Sequence, residues 1–390
     1  MRGKNIIIGC VIPCDMVSSK AYFDNSATTK MAPEVLNAMM SHLTDEYGNP
    51  GSIHSMGDSA AKAVRDARQK TAKLIGCQPS EVFFTSGGTE SDNIALIGSV
   101  PSGGRIITTA IEHSAILETC AYLKENKRKV TILPVDETGK VDPDTLRNAL
   151  SDDVFLVSVM TANNVIGTIQ DIKELADTTH EYGALFHTDA VQAFAKMDVN
   201  VKRSGADMLS ISGHKIHGPK GIGALYVSDK VDVKPIMFGG GQESGIRPST
   251  ENVPGVVGLG AAVELAERTM NADIQKMEKL RNSIIESTLT IDGSALNGPF
   301  DGRLCNNAHF RFTGIKGTEL VLKLSQAGIM ASTASACSAG STDPSHVMTA
   351  IGLSPSEALS ALRISLSRYN TSEEVGYLAD VLPKAIASLR

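Results

Sequence analysis

The chain has 390 residues, 42% of them hydrophobic and 21% charged, and a formal net charge of -6. That length and balance suit a folded protein of two or more packed domains and exclude a disordered chain. The negative charge supplies no basic footprint for nucleic acid and no polybasic patch for a membrane, and six cysteines over such a length are no disulfide framework, which points to a reducing, cytoplasmic setting.

In chain order, residues 1–16 read as an N-terminal extension. The apolar run Asn5 to Pro13 follows Arg2 and Lys4 like a signal peptide but is too short to span a bilayer. Cys10 and Cys14 have no second pair nearby to complete a metal site, and Met16 is an alternative start. Organised sequence begins near Tyr22. From there to about Leu265, short apolar runs alternate with amphipathic helical stretches. The strand candidates are Glu81 to Thr85, Arg105 to Thr109, Val130 to Pro134, Val154 to Met160, Ala184 to Thr188, Met208 to Ile211 and Gly223 to Val227. Such βα alternation predicts an α/β fold, a mostly parallel seven-stranded sheet with helices on both faces and ligands beyond the strand carboxyl ends.

A helical stretch from Asn252 to about Ile291 then connects to a smaller α+β domain. Its expected strands are His309 to Phe312 and Arg363 to Leu366, and its helices Thr318 to Gln326 and Thr371 to Leu389. The expected division is a large domain at 32–265 and a small one formed by 17–31 with 266–390. Within the latter, 331–345 is rich in Ser, Ala and Gly with Cys337 in its middle, a composition expected of a mobile surface loop.

Chemistry gathers at the predicted strand ends. Lys215, in Ser212-Gly213-His214-Lys215, is either a solvated turn lysine or a desolvated amine able to form a Schiff base. Ser86 to Ser91 opens a helix after a strand, which suits either a capped helix start or a phosphate cradle, and it lacks the lysine of a nucleotide-binding P-loop. Asp189 could keep a pyridine nitrogen protonated or cap a helix. His113 could stack on a flat ring or be structural. No metal-ligand spacing appears.

Four segments together resemble one family across the chain from Tyr22 onward: Tyr22-Phe23-Asp24-Asn25-Ser26-Ala27-Thr28-Thr29, Thr85 to Asn93, Ser212 to Lys215 with Gly218-Pro219-Lys220-Gly221, and Ser335-Ala336-Cys337 with Pro344-Ser345. The chain resembles the NifS/IscS-type cysteine desulfurases, fold-type I pyridoxal phosphate enzymes of aminotransferase class V. The resemblance implies that Lys215 holds pyridoxal 5'-phosphate, His113 stacks on the ring and Asp189 pairs with its nitrogen. It places Asn164 and Gln192 near the phenolic oxygen, and Gly88, Thr89, Ser212 and His214 at the phosphate. Thr250 would reach the phosphate of a neighbouring subunit, so a homodimer is implied, and Arg363 would clamp the substrate carboxylate, with Asn164 also near the substrate.

The implied activity converts L-cysteine to L-alanine and leaves a persulfide on Cys337 for an acceptor protein of iron–sulfur assembly or thiolation. A class V aminotransferase or a selenocysteine lyase is the alternative on the same scaffold, with Cys337 as the discriminator. The sequence departs from the family's usual pattern at Val165, Ser244, Pro248-Ser249, Ala334 and Ser367. Of these, Pro248-Ser249 predicts a stiffer loop before Thr250.

Overall fold

The computed structural model describes residues 21–101, 103–333 and 344–390. Twelve strands occur among them: β1 (Ala21–Tyr22), β2 (Val82–Thr85), β3 (Arg105–Thr109), β4 (Val130–Leu133), β5 (Val154–Ser158), β6 (Leu185–Asp189), β7 (Met208–Ser212), β8 (Gly223–Val227), β9 (Ser294–Leu296), β10 (Asn307–Phe312), β11 (Ile329–Met330) and β12 (Ala361–Ser365). The central sheet has the order β2-β8-β7-β6-β5-β3-β4. Only β8 runs against its neighbours, pairing antiparallel with both β2 and β7. The expected mostly parallel seven-stranded sheet is therefore present.

Its strands read as apolar runs because both faces are covered. Along β7 and β8 the side chains alternate between two cores. Leu209, Ile211, Ala224 and Tyr226 pack with the helices Pro33–Thr44 and Ser55–Ile75, whereas Met208, Leu225 and Val227 pack with Ile94, Ile116 and Leu156. A period of two in the backbone thus sorts one apolar run into two layers.

The helix Val253–Leu289 joins the two parts of the chain. Asn252 caps it by accepting from the Gly255 N–H at 3.1 Å. Its first turns, from Val253 to Leu265, lie in the core beside the large sheet. Farther on, Met277, Leu280, Ile284 and Ile285 belong to a second core with Phe310, Phe312, Leu320 and Leu378. That second core contains the three-stranded sheet β12-β10-β9, and β1 pairs in parallel with β11. The N-terminal end of the described chain is thereby tied to its last third. No helix among the described residues is long and apolar enough to cross a membrane.

Several elements end differently from the sequence expectation. β5 stops at Ser158 rather than Met160, and β12 starts at Ala361 rather than Arg363. The short strands β1, β9 and β11 and the five-residue helices His346–Ala350 and Pro355–Leu359 carry too few residues to leave a periodic signal. Of the expected loop 331–345, only 331–333 and 344–345 are among the described residues, so Cys337 lies outside them, as do Cys10 and Cys14.

Candidate active site

The carboxyl ends of the parallel strands open onto a cavity of about 340 Å³. Gly88, Thr89, His113, Asn164, Asp189, Gln192, Ser212, His214, Lys215 and Arg363 all line it. They come from distant parts of the chain, and the fold gathers them because all but Arg363 follow or end strands of the large sheet, while Arg363 projects from the middle of β12. Thr250 stands elsewhere, exposed on the loop that precedes the long helix.

Lys215 lies in the short 3-10 turn Gly213–Lys215 directly after β7. Its Nζ donates to the backbone carbonyls of Ser26 and Ala27, the latter at 2.8 Å. The segment Asp24 to Thr29 therefore forms one wall of the site. The wall is fixed by the Thr29 hydroxyl, which donates to the His214 carbonyl at 2.9 Å, and by a 3.1 Å bond between His214 Nδ1 and the Thr28 hydroxyl. Burial, followed by the charges of Lys215, Lys220 and Lys196, pushes His214 down to about 4, so its ring is neutral at physiological pH.

Asp189 ends β6, and its Oδ1 accepts from the Val191 N–H at 2.8 Å. Burial raises its pKa, and His113, the Val191 N–H and Lys215 oppose that rise. A second carboxylate, Asp92, is also buried against the cavity. Burial holds Asp92 well above the usual carboxylate range, and the neighbouring Asp189 charge adds to the effect. Both carboxyls are therefore held above the usual range, Asp92 the further of the two, because only Asp189 has His113 and Lys215 opposing the rise. Beneath them His187 bonds to the Ser158 and Ser210 hydroxyls at 2.9 and 3.0 Å, and burial lowers its pKa to about 3.

His113 caps the helix Ser114–Glu125. Its Nδ1 accepts from the Ala115 N–H at 3.1 Å, which assigns the ring proton to Nε2. Preceding it, the buried Glu112 accepts from the Thr109 hydroxyl at 2.6 Å and the Met160 N–H at 3.0 Å. At the other side of the cavity, Arg363 on β12 donates to Asp24 Oδ1 at 2.8 Å and to the Asn164 carbonyl at 2.9 Å. Asn163 orients that turn by accepting from the Val165 and Ile166 N–H groups, both at 2.9 Å.

Two glycines permit the close approach of the loop after β2. At Gly223 a Cβ would stand 2.7 Å from the Gly87 Cα, and at Gly88 it would stand 2.6 Å from the Val191 side chain. The backbone of Gly87 to Thr89 can therefore face the cavity with Ser212 and His214 opposite. This donor set suits a flat, phosphorylated, cationic ring: N–H and hydroxyl groups at one end, a buried carboxylate deep inside, an imidazole, and an amine. Gln192 adds a buried amide oxygen that has no hydrogen-bond partner among the described residues. The residues fit pyridoxal phosphate.

A sequence profile of the aminotransferase class-V family matches residues 21–378. Cysteine desulfurase IscS of Methanosarcina thermophila is 47% identical over 373 residues, covering 95% of this chain and 92% of its own. The chain belongs to the cysteine desulfurases of aminotransferase class V. Among solved structures, a NifS-like protein superposes with a TM-score of 0.89 at 39% identity, over 94% of this chain and 99% of its own. A structure described as SspA in complex with cysteine matches with a TM-score of 0.79 at 36% identity, over 90% of this chain and all of its own.

Parts of this desulfurase site carried no recognisable signal in sequence. Asp24 as the partner of Arg363, and the Ser26 and Ala27 carbonyls as acceptors for Lys215, come from a segment that carries the family resemblance but no side-chain pattern pointing to these contacts. Asp92 lies four residues after Gly88, one helical turn on, and that spacing alone could have suggested a shared face. Glu112 reads only as the neighbour of His113.

Both ends of the segment that contains Cys337 are held at this cavity. Ser332 pairs with Arg363 through the backbone, and His346 Nε2 donates to the Glu112 carbonyl at 2.9 Å.

Proposed function

We propose that this desulfurase binds pyridoxal phosphate through Lys215 and moves the sulfur of L-cysteine onto Cys337. The observation that carries the reading is the convergence of Lys215, Asp189, His113 and Arg363 on one cavity. Thr89, Ser212, His214 and the Gly88 N–H would hold the phosphate, Asp189 would pair with the ring nitrogen, His113 would cover the ring, and Asn164 and Gln192 would serve the phenolic oxygen. The cofactor, when bound, supplies an electron sink for charge developing at the substrate Cα.

The chain's own groups do the rest. Arg363 takes the substrate carboxylate with a planar fork of donors, while Asn164 lines the same side. The Lys215 amine, freed as the substrate amine takes its place, removes the Cα proton. The Cys337 thiolate forms an S–S bond as the Cβ–S bond of the substrate breaks, and protons delivered to Cβ and back to Cα give alanine. The persulfide then passes to an acceptor protein of iron–sulfur assembly or thiolation. Cytoplasmic placement belongs to this reading, as does the division into a large domain at 32–265 and a small one from 17–31 and 266–390.

The same reading includes a homodimer in which Thr250 serves the partner's cavity. It is supported by large apolar side chains left in solvent: Ile53 is 100% exposed and Phe238 91%, the latter on the stretch leading to Thr250. Side chains of this size, so fully exposed, are expected at a subunit contact.

The test is alanine release from L-cysteine with pyridoxal phosphate and a reductant, comparing the wild type with Cys337→Ala. Release by the wild type and its near loss in the variant are expected. Cofactor uptake without alanine release in either protein would sink the desulfurase assignment of this site.

A further inference from the structure

Lys196 is buried, with 8% of its surface exposed, at the junction between the two parts of the chain. It follows the cavity segment Asp189 to Gln192, after a left-handed residue at Ala195 (φ 60°) that turns it back beneath the site. Its Nζ donates to the Gln192 carbonyl at 3.0 Å and to the Lys215 carbonyl at 3.2 Å. One ammonium thus ties together the loops after β6 and β7. Its own carbonyl accepts from the Cys305 thiol at 3.7 Å, extending the tie toward β10.

A buried ammonium is costly, and this one is met by two backbone carbonyls with no carboxylate among the described residues paired to it. Besides tying the loops, it therefore carries an unneutralised charge behind the cofactor-binding lysine. The titratable and charged groups around it are Lys215, His214, His217, Asp273, Arg368 and Cys305. Burial lowers the Lys196 ammonium to about 8, so it is charged at neutral pH.

We propose that Lys196 is a positioning residue, which holds the Lys215 backbone against the Gln192 turn and places a positive charge at neutral pH behind the lysine-bound cofactor. This rests on the reading of Lys215 given above. A cation at that position disfavours a second positive charge on the Lys215 nitrogen.

The experiment follows the visible absorbance of bound pyridoxal phosphate against pH, and the rate of cofactor release, in the wild type and in Lys196→Met, Lys196→Gln and Lys196→Arg. Loss of the charge in the Met and Gln variants is expected to raise the pH midpoint of the band by about one unit and to speed release by roughly fivefold. Arg, which keeps a cation, is expected to hold the wild-type midpoint. Were the Met variant not to fold, the contrast between Gln and Arg carries the decision. A wild-type band with unmoved midpoints in Met and Gln, or an equal shift in Arg, would overturn the proposal. Should the wild type take up no cofactor at Lys215, the reading of that lysine fails first and the inference with it.

Discussion

Ser332 and Arg363 exchange both backbone hydrogen bonds: the Arg363 N–H donates to the Ser332 carbonyl at 2.6 Å, and the reverse bond is 3.3 Å. The residue proposed to grip the substrate carboxylate is therefore also the anchor for the chain leading to Cys337. Its guanidinium, bonded to Asp24 and Asn164, is oriented before substrate arrives. Arg363→Lys keeps the backbone pairing and loses the fork. We expect KM for L-cysteine to rise roughly ten- to a hundredfold while the absorbance of bound cofactor stays as in the wild type, measured by steady-state alanine release and spectroscopy.

His346 anchors the other end of the same segment at the Glu112 carbonyl. His346→Ala removes one buried-side hydrogen bond, a loss on the order of 1 kcal/mol. Alanine release is expected to fall about fivefold with cofactor uptake unchanged. A variant as active as the wild type would show that this anchor does not help present Cys337.

Glu112 predicts a pH dependence of stability. Burial raises its carboxyl to about 8, against which the Thr109 hydroxyl and the Met160 N–H act only in part. Its folded pKa is above the unfolded one, so the folded state holds a proton that the unfolded state has released. The contribution is fully present below about 4.5 and is lost as pH rises toward 8, at about 1.4 kcal/mol per pH unit within that window. Glu112→Gln carries no titrating proton. Urea midpoints measured from pH 5 to 8 should decline less steeply in the variant, and equal slopes would remove Glu112 as the source.

Ser249 adopts φ 109°, a region that glycine occupies far more readily, just before Thr250. Its N–H donates to Gln242 at 3.2 Å, and the same loop is pinned by Arg68 to Glu243 at 2.7 Å and by Arg247 to Glu90 at 2.9 Å. These contacts hold Ser249 in a conformation that is costly for any residue but glycine. Ser249→Gly is expected to stabilise the protein by about 1 kcal/mol, read as a higher urea midpoint. An unchanged or lower midpoint would mean that the strain is absent in solution.

By itself the sequence determined the architecture and the cast of the site. The strands Arg105–Thr109 and Gly223–Val227 and the sheet class were legible because two-sided burial demands continuous apolar runs with turn residues between them. Lys215, Asp189 and His113 stood out by following predicted strands, each with a structural alternative that residue type alone left open, and the resemblance to a family is what gave them roles. Tertiary structure alone decided the contacts between distant segments, Asp24 with Arg363 and Ser26 and Ala27 with Lys215, and the placing of Lys196 beneath both site loops. The acceptors of Lys215 and of Lys196 are all backbone carbonyls, which every residue possesses, so no side-chain pattern could announce them. The proton balance between Asp92 and Asp189 was equally hidden, since it depends on which carboxylate the cations face once water has been excluded.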